Sequence, residues 1–176
     1  MKYATIVADP PWRTQRPAGW HTTLEKIPLT YPTMSAEEIA SLPVATLAAD
    51  DAHLYLWTIN AYVESAYAVV KAWRFRPVTL LTWCKKPHGI GPGGTYAHTT
   101  EFIVLAKRGA LAAHRRVETT WWLWPRGAHS AKPEAFLDMV ETVSPGPYLE
   151  LFARRNRLGW HTWGHEALNH VDLGGA

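Results

Sequence analysis

An acid, two prolines and a large aromatic stand in one row at Asp9-Pro10-Pro11-Trp12, directly behind the apolar run Ala4-Thr5-Ile6-Val7. Each proline fixes φ and lacks an N–H donor, so the carbonyls just before and within the pair are left to face a ligand. A carboxylate beside such a carbonyl makes two acceptors. The group that two acceptors recognise is an NH₂, one hydrogen held by the Asp9 carboxylate and the other by the Pro10 carbonyl. The exocyclic amine of a nucleobase fits this description. Its lone pair is delocalised into the ring, which makes it a poor nucleophile; hydrogen bonds at both hydrogens pyramidalise the nitrogen and return that pair for attack. Trp12 would then stack near the flat ring. Taken alone, the four residues also read as a rigid turn followed by a core tryptophan.

A second polar strand end shifts that balance toward a site. The segment Tyr148 to Phe152 carries Glu150 and is followed by Arg154, Arg155 and Asn156. In open α/β sheets ligands bind beyond the carboxyl ends of the strands, so if these two strands are neighbours one cleft is lined by both. The glycine-rich stretch His88-Gly-Ile-Gly-Pro-Gly-Gly-Thr-Tyr96 lacks the Gly-Lys-Ser/Thr ending of a phosphate-binding loop and precedes a strand rather than a helix. It reads as a mobile loop. His98 and Glu101 at its exit are candidates to face the same cleft, although a buried, hydrogen-bonded histidine is an equally good reading of His98. The nine histidines form no set with ligand spacing, and His161 and His165 are separated by a turn-like Thr-Trp-Gly, so no metal is expected.

The elements that must position these residues follow from periodicity. A buried strand ends at Val7, and a polar loop runs from Arg13 to Thr33. Ser35-Ala36-Glu37-Glu38 reads as a capping box opening a short helix that Pro43 stops. Strands are expected at His53–Thr58, Val78–Cys84, Glu101–Lys107 and Tyr148–Phe152, and helices at Ala61–Trp73 and Pro133–Val143. Such alternation predicts an α/β fold, a mostly parallel sheet with helices on both faces, in one domain spanning 1–176. Most of the ten tryptophans should fill the core, with a few left for stacking. Cys84 is the only cysteine, which excludes an internal disulfide, and the chain starts without a secretory signal or any run long enough to span a membrane. A cytoplasmic location is expected. The formal charge of +3 permits a polyanionic partner without demanding one.

Several stretches together resemble the MT-A70 family, adenine methyltransferases that use S-adenosylmethionine to methylate the 6-amino group of adenine in DNA or RNA. They are ADPPW at 8–12, YPTMSAEEI at 31–39, HLYLWT at 53–58, HTTEFIVLAKRG at 98–109, HSAKPEAFLDMVETVSPGPYLELFAR at 129–154 and GWHTWGHE at 159–166. The resemblance implies a Rossmann-like fold with permuted motif order, the catalytic corner first and the cofactor strand last. It implies that Asp9, Pro10, Pro11 and Trp12 hold the target amine, with Tyr31, His98 and Glu101 near the acceptor adenosine. Lys132, Glu150, Arg154, Asn156, His165 and Glu166 would line the cofactor pocket. Two departures stand out: the family usually has asparagine at the position of His165, and the eight residues before Asp9 imply a thinner wall against the cofactor's adenine than in larger members. DNA is the favoured substrate, read through the loops Arg13–Thr33 and His88–Ala97 or by a second copy or partner subunit. The alternatives are a non-catalytic nucleic-acid-binding subunit, in which the acidic corner would typically be spoiled, and a methyltransferase acting on a small molecule or another base.

Overall fold

The computed structural model describes residues 1–13, 32–86, 95–127 and 131–173. Tyr31, most of the loop after Arg13 and most of the glycine-rich loop therefore lie outside the described residues. Strands β1 (Tyr3–Ala8), β2 (Ala48–Thr58), β3 (Arg76–Lys86), β4 (Thr100–Arg108), β5 (Trp121–Pro125), β6 (Tyr148–Leu151) and β7 (Trp160–Trp163) form a seven-stranded sheet in the order β5-β3-β4-β2-β1-β6-β7. β1 runs parallel to both β2 and β6, β6 to β7, and β3 to β5. β4 is antiparallel to both its neighbours, so it alone opposes the common direction.

β2 shows how one strand serves two layers. Side chains alternate across a sheet, so Leu54 and Leu56 join one buried cluster while Tyr55 and Trp57 join the other. The first cluster lies under α1 (Ala36–Ser41) and α3 (Val63–Ala72), through Ile39, Ala66, Val69 and Val70. The second lies under α4 (Glu134–Val143), through Phe136, Leu137 and Val140. Helices thus cover both faces, which is why the strands between them read as nearly continuous apolar runs.

Local signals explain most boundaries. Ser35 accepts from the Glu38 N–H at 3.2 Å and Glu38 accepts from the Ser35 N–H at 2.6 Å, closing the capping box. The helix stops before Pro43 as expected, α1 ending at Ser41 with Leu42 as its C-cap, and Pro43 then stands at the N-cap of a further single turn, α2 (Val44–Leu47). The expected strand at His53 begins five residues earlier, because exposed Asp50 and Asp51 mask its first half. Tyr148–Phe152 is not the final strand either. Four residues, Trp160–Trp163, add β7 beside it, a run too short for any period to register. β5 likewise has no pattern that marks a strand, its WWLWP run ending in proline at the sheet's edge, where Trp121 and Leu123 are exposed rather than in the core.

Candidate active site

β1 and β6 are direct neighbours, with Val7 opposite Glu150 and Ala8 opposite Leu151, so Asp9 and the segment from Phe152 to Arg154 leave the sheet side by side. β7 adds Trp163 to His165 alongside them. A cavity of about 730 Å³ opens at these carboxyl ends. Asp9, Pro10, Pro11, Trp12, Glu101, Lys132, Arg154, His165 and Glu166 line it, gathered from both ends of the sequence and its middle.

The proline corner is pinned at three points. Trp12 N–H donates to the Pro10 carbonyl at 2.9 Å, Met34 N–H donates to the Pro11 carbonyl at 2.9 Å, and Arg13 N–H donates to the Met34 carbonyl at 2.9 Å. The Pro10 carbonyl is therefore already engaged by one backbone donor and retains one lone pair for a ligand. Trp12 is buried, its indole N–H donates to the Trp57 carbonyl at 3.1 Å, and its ring stacks on Tyr62 with centroids 5.3 Å apart. The ring contributes a wall rather than an open platform, because Tyr62 already covers one of its faces.

Charge is concentrated opposite that corner. Lys132 Nζ lies 2.8 Å from Asp9 Oδ2 and 3.2 Å from Glu101 Oε2, and Lys85 Nζ lies 2.7 Å from Glu101 Oε1. Burial pushes the Asp9 carboxyl above its ordinary value, with Lys132 pulling the other way. Burial would also raise Glu101, but Lys132 and Lys85 outweigh it and hold that carboxyl low. For Lys132, burial favours the neutral amine, yet Asp9 and Glu101 more than offset it and keep the ammonium above its usual range. The lysine that the resemblance assigned to the cofactor thus sits against the acid of the corner.

Three nominated residues do not reach the cavity wall. Glu150 pairs in register with Val7 and Thr162, on the α4 face, and its Oε2 is buried with no hydrogen-bond partner among the described residues. Burial first, and then repulsion from Asp9, pushes it up to about 7. Asn156 is occupied in bracing the end of β7: its amide donates to Thr162 Oγ1 at 2.9 Å and its carbonyl oxygen accepts from Leu168 N–H at 3.1 Å. His98 is exposed and lies outside the lining.

Other lining residues carried no sequence signal. Asn169 accepts from Gly164 N–H at 2.7 Å, and Phe152, in the left-handed region at φ 63°, meets Trp163 edge to face at 5.4 Å. Gly164 is required here, since a Cβ would fall 2.2 Å from the Ala153 carbonyl oxygen. That close approach brings the ends of β6 and β7 together under the cavity, where Ala153 N–H donates to the Trp163 carbonyl at 3.0 Å.

A mostly parallel sheet with helices on both faces and a cavity at the carboxyl ends of its strands defines the class of protein as a Rossmann-like α/β fold with a ligand site at the usual place. The family model described as MT-A70 matches residues 3–166, and the chain belongs to that methyltransferase family. It is 30% identical to the Type II methyltransferase M.MunI of Mycoplasma, over 94% of this chain and 78% of that protein. It is 28% identical to the human N(6)-adenine-specific methyltransferase METTL4 over 97% of this chain, and 25% identical to the human N(6)-adenosine-methyltransferase catalytic subunit METTL3 over 94% of it. The chain spans only 39% and 28% of the length of those two human proteins. No helix among the described residues is long and apolar enough to cross a membrane.

Proposed function

We propose that residues 1–176 form one methyltransferase domain that transfers a methyl group from S-adenosylmethionine to the 6-amino group of adenine in nucleic acid, DNA being favoured over RNA. The observation that carries this reading is the Asp9 carboxylate, fixed at the end of β1 in a cavity shared with the ends of β6 and β7. The naming of relatives for adenine and adenosine supports the base and the position. DNA is favoured because compact members of the family commonly modify it, and the chain is close in length to M.MunI while it covers only 28% of the adenosine-named METTL3. The intact acidic corner speaks against a purely non-catalytic subunit. The subunit naming of METTL3 supports a second copy or partner chain in the working assembly.

The cavity suits the cofactor in its chemistry. S-adenosylmethionine presents a flat base, a ribose diol and an amino-acid end, and when bound it supplies an electrophilic methyl on positively charged sulfur. Glu166, His165 and Asn169 offer directional partners for a diol, Arg154 and Lys132 offer cations for a carboxylate, and Phe152, Trp163 and Leu173 give apolar wall. The volume is within the range of ordinary small-molecule sites.

Asp9 has the central role. Its carboxylate accepts one hydrogen of the target amine, the second lone pair of the Pro10 carbonyl accepts the other, positive charge growing on the nitrogen is stabilised by Asp9, and the proton that the methylated nitrogen must lose passes to that carboxylate and on to water. Holding the amine at fixed orientation supplies the entropic part of the acceleration. No covalent bond to the protein is needed. A duplex substrate must turn its adenine out of the stack to reach the corner, which a single strand does without that cost. The test is to incubate the protein with isotopically labelled cofactor and sequence-matched DNA and RNA oligonucleotides, then digest to nucleosides for mass spectrometry. Label in N6-methyldeoxyadenosine is expected; label only in a different base, or in none, refutes the reading.

A further inference from the structure

Four side chains of alternating charge run in contact from β3 to the corner: Lys85, Glu101, Lys132 and Asp9, linked at 2.7, 3.2 and 2.8 Å. Their side chains are only 15–30% exposed, so each charge is strongly coupled to the next. Beneath them lies a floor of two tryptophans, Trp57 and Trp83, set edge to face with centroids 5.9 Å apart. Lys132 Nζ stands 5.1 Å above the Trp57 ring and Lys85 Nζ 5.5 Å above the Trp83 ring. That floor is itself fixed, since the Trp83 indole N–H donates to the Trp124 carbonyl at 3.0 Å on β5.

Lys85 is not among the residues lining the cavity. Its place follows from sheet register: Trp83 is opposite Glu101, which makes Lys85 the diagonal neighbour of Glu101 on the same face, and the Lys85 backbone N–H donates to the Thr99 carbonyl at 2.9 Å. One oxygen of Glu101 is thereby taken by Lys85 and only the other is left for Lys132. Lys132 in turn divides itself between Glu101 and Asp9 and uses Asp9 Oδ2 alone.

We propose that Lys85 is a positioning residue for the methyl-transfer site, acting through Glu101 to keep Lys132 between the two carboxylates and Asp9 in its working orientation. The proposal rests on the functional reading of Asp9 given above. Without the Lys85 charge the set carries one excess negative charge, Glu101 has both oxygens to offer Lys132, and the hold on Asp9 loosens. The cation-over-indole seats favour a positive charge at each place, because a neutral side chain of the same length gains no charge attraction from the ring face.

The experiment compares wild type, Lys85→Met and Lys85→Arg by two readouts. The first is the carboxyl ¹³C titration of Glu101: its midpoint in Lys85→Met is expected to rise by about one pH unit or more, and Lys85→Arg is expected to restore most of the difference. The second is the pH profile of turnover, whose acid limb should move upward in Lys85→Met and return in Lys85→Arg, with kcat falling more than KM for the cofactor changes. A Glu101 midpoint that is the same in folded Lys85→Met as in wild type overturns the proposal, as does a loss of turnover with an unmoved acid limb. If Lys85→Met does not fold, the wild type decides: Glu101 titrating at the ordinary carboxylate value overturns the coupling. A wild type that methylates no oligonucleotide sinks the proposed function while the titration still tests the chain of charges, so the two failures are told apart.

Discussion

Two ion-pair clusters of similar composition stand at different depths in this molecule. At the corner, Lys85, Glu101, Lys132 and Asp9 are mostly buried and share their charges in a line. On the outer side of α4, Arg157 reaches Asp138 at 2.6 Å and both oxygens of Glu141 at 2.8 and 2.9 Å, with Glu141 also accepting the Trp160 indole N–H at 2.6 Å. There Arg157 is itself only 22% exposed, but its partners Glu134, Asp138 and Glu141 are 59%, 63% and 34% exposed, so water and salt screen the attraction from the acid side. The lesson is that the surface cluster braces α4 against the end of β6, while the buried one spends its charges on tuning a carboxylate that faces a cavity. Burying like and unlike charges together is poor economy for stability alone.

The comparison breaks first at Asp9. Asp9→Ala is expected to lower methyl transfer by about 10³-fold or more, measured by label incorporation, while cofactor binding by calorimetry persists. Retained turnover would remove Asp9 from its assigned role. Next is Lys132→Met, which leaves two carboxylates facing each other; a loss of roughly 2–3 kcal/mol is expected at pH 7 in denaturant unfolding, discounted for partial exposure. Because the folded Glu101 value is depressed, its ion-pair contribution is present above the unfolded value and fades as pH falls through the folded one, so the gap to wild type should narrow in acid.

Glu150 sharpens the contrast from the opposite sign. A carboxyl raised to about 7 in the folded state costs stability as pH climbs from its ordinary 4.5 through 7, and nothing below that window. Glu150→Gln is therefore expected to stabilise the protein by about 2 kcal/mol at pH 8 and to be nearly neutral at pH 4, read as a difference in melting temperature at the two pH values. An equal melting temperature at pH 8 would mean that the orphaned oxygen is satisfied in solution. The smallest effect belongs to the surface cluster. Arg157→Ala should cost no more than about 1 kcal/mol, fall further in high salt, and leave turnover within twofold.

Much of the site was legible in sequence because its motifs lie at strand ends. ADPPW follows an apolar run, YLEL precedes an arginine pair, and the rule that ligands sit at carboxyl ends joins them once the strands are neighbours. The capping box at Ser35 was equally readable, since both its hydrogen bonds span three residues. Trp12 was readable as to place and not as to use: the sequence offers an aromatic beside an acid, but Tyr62 and the Trp57 carbonyl are brought to it by the fold. His98 looked like a cleft residue from its position beside Glu101, and the strand that begins at Thr100 carries Glu101 inward while His98 stays exposed before it.

What sequence alone determined, then, was the identity of each strand end and the chemical types placed there, because local spacing and proline stereochemistry act over a few residues. Sheet order decided the rest. Lys132 meets Asp9 across 123 positions of chain only because β4 lies two strands from β1 and α4 crosses their shared face, and Lys85 reaches Glu101 only through antiparallel register. Contacts of that separation depend on which strands pair and in what register, and no local pattern encodes them.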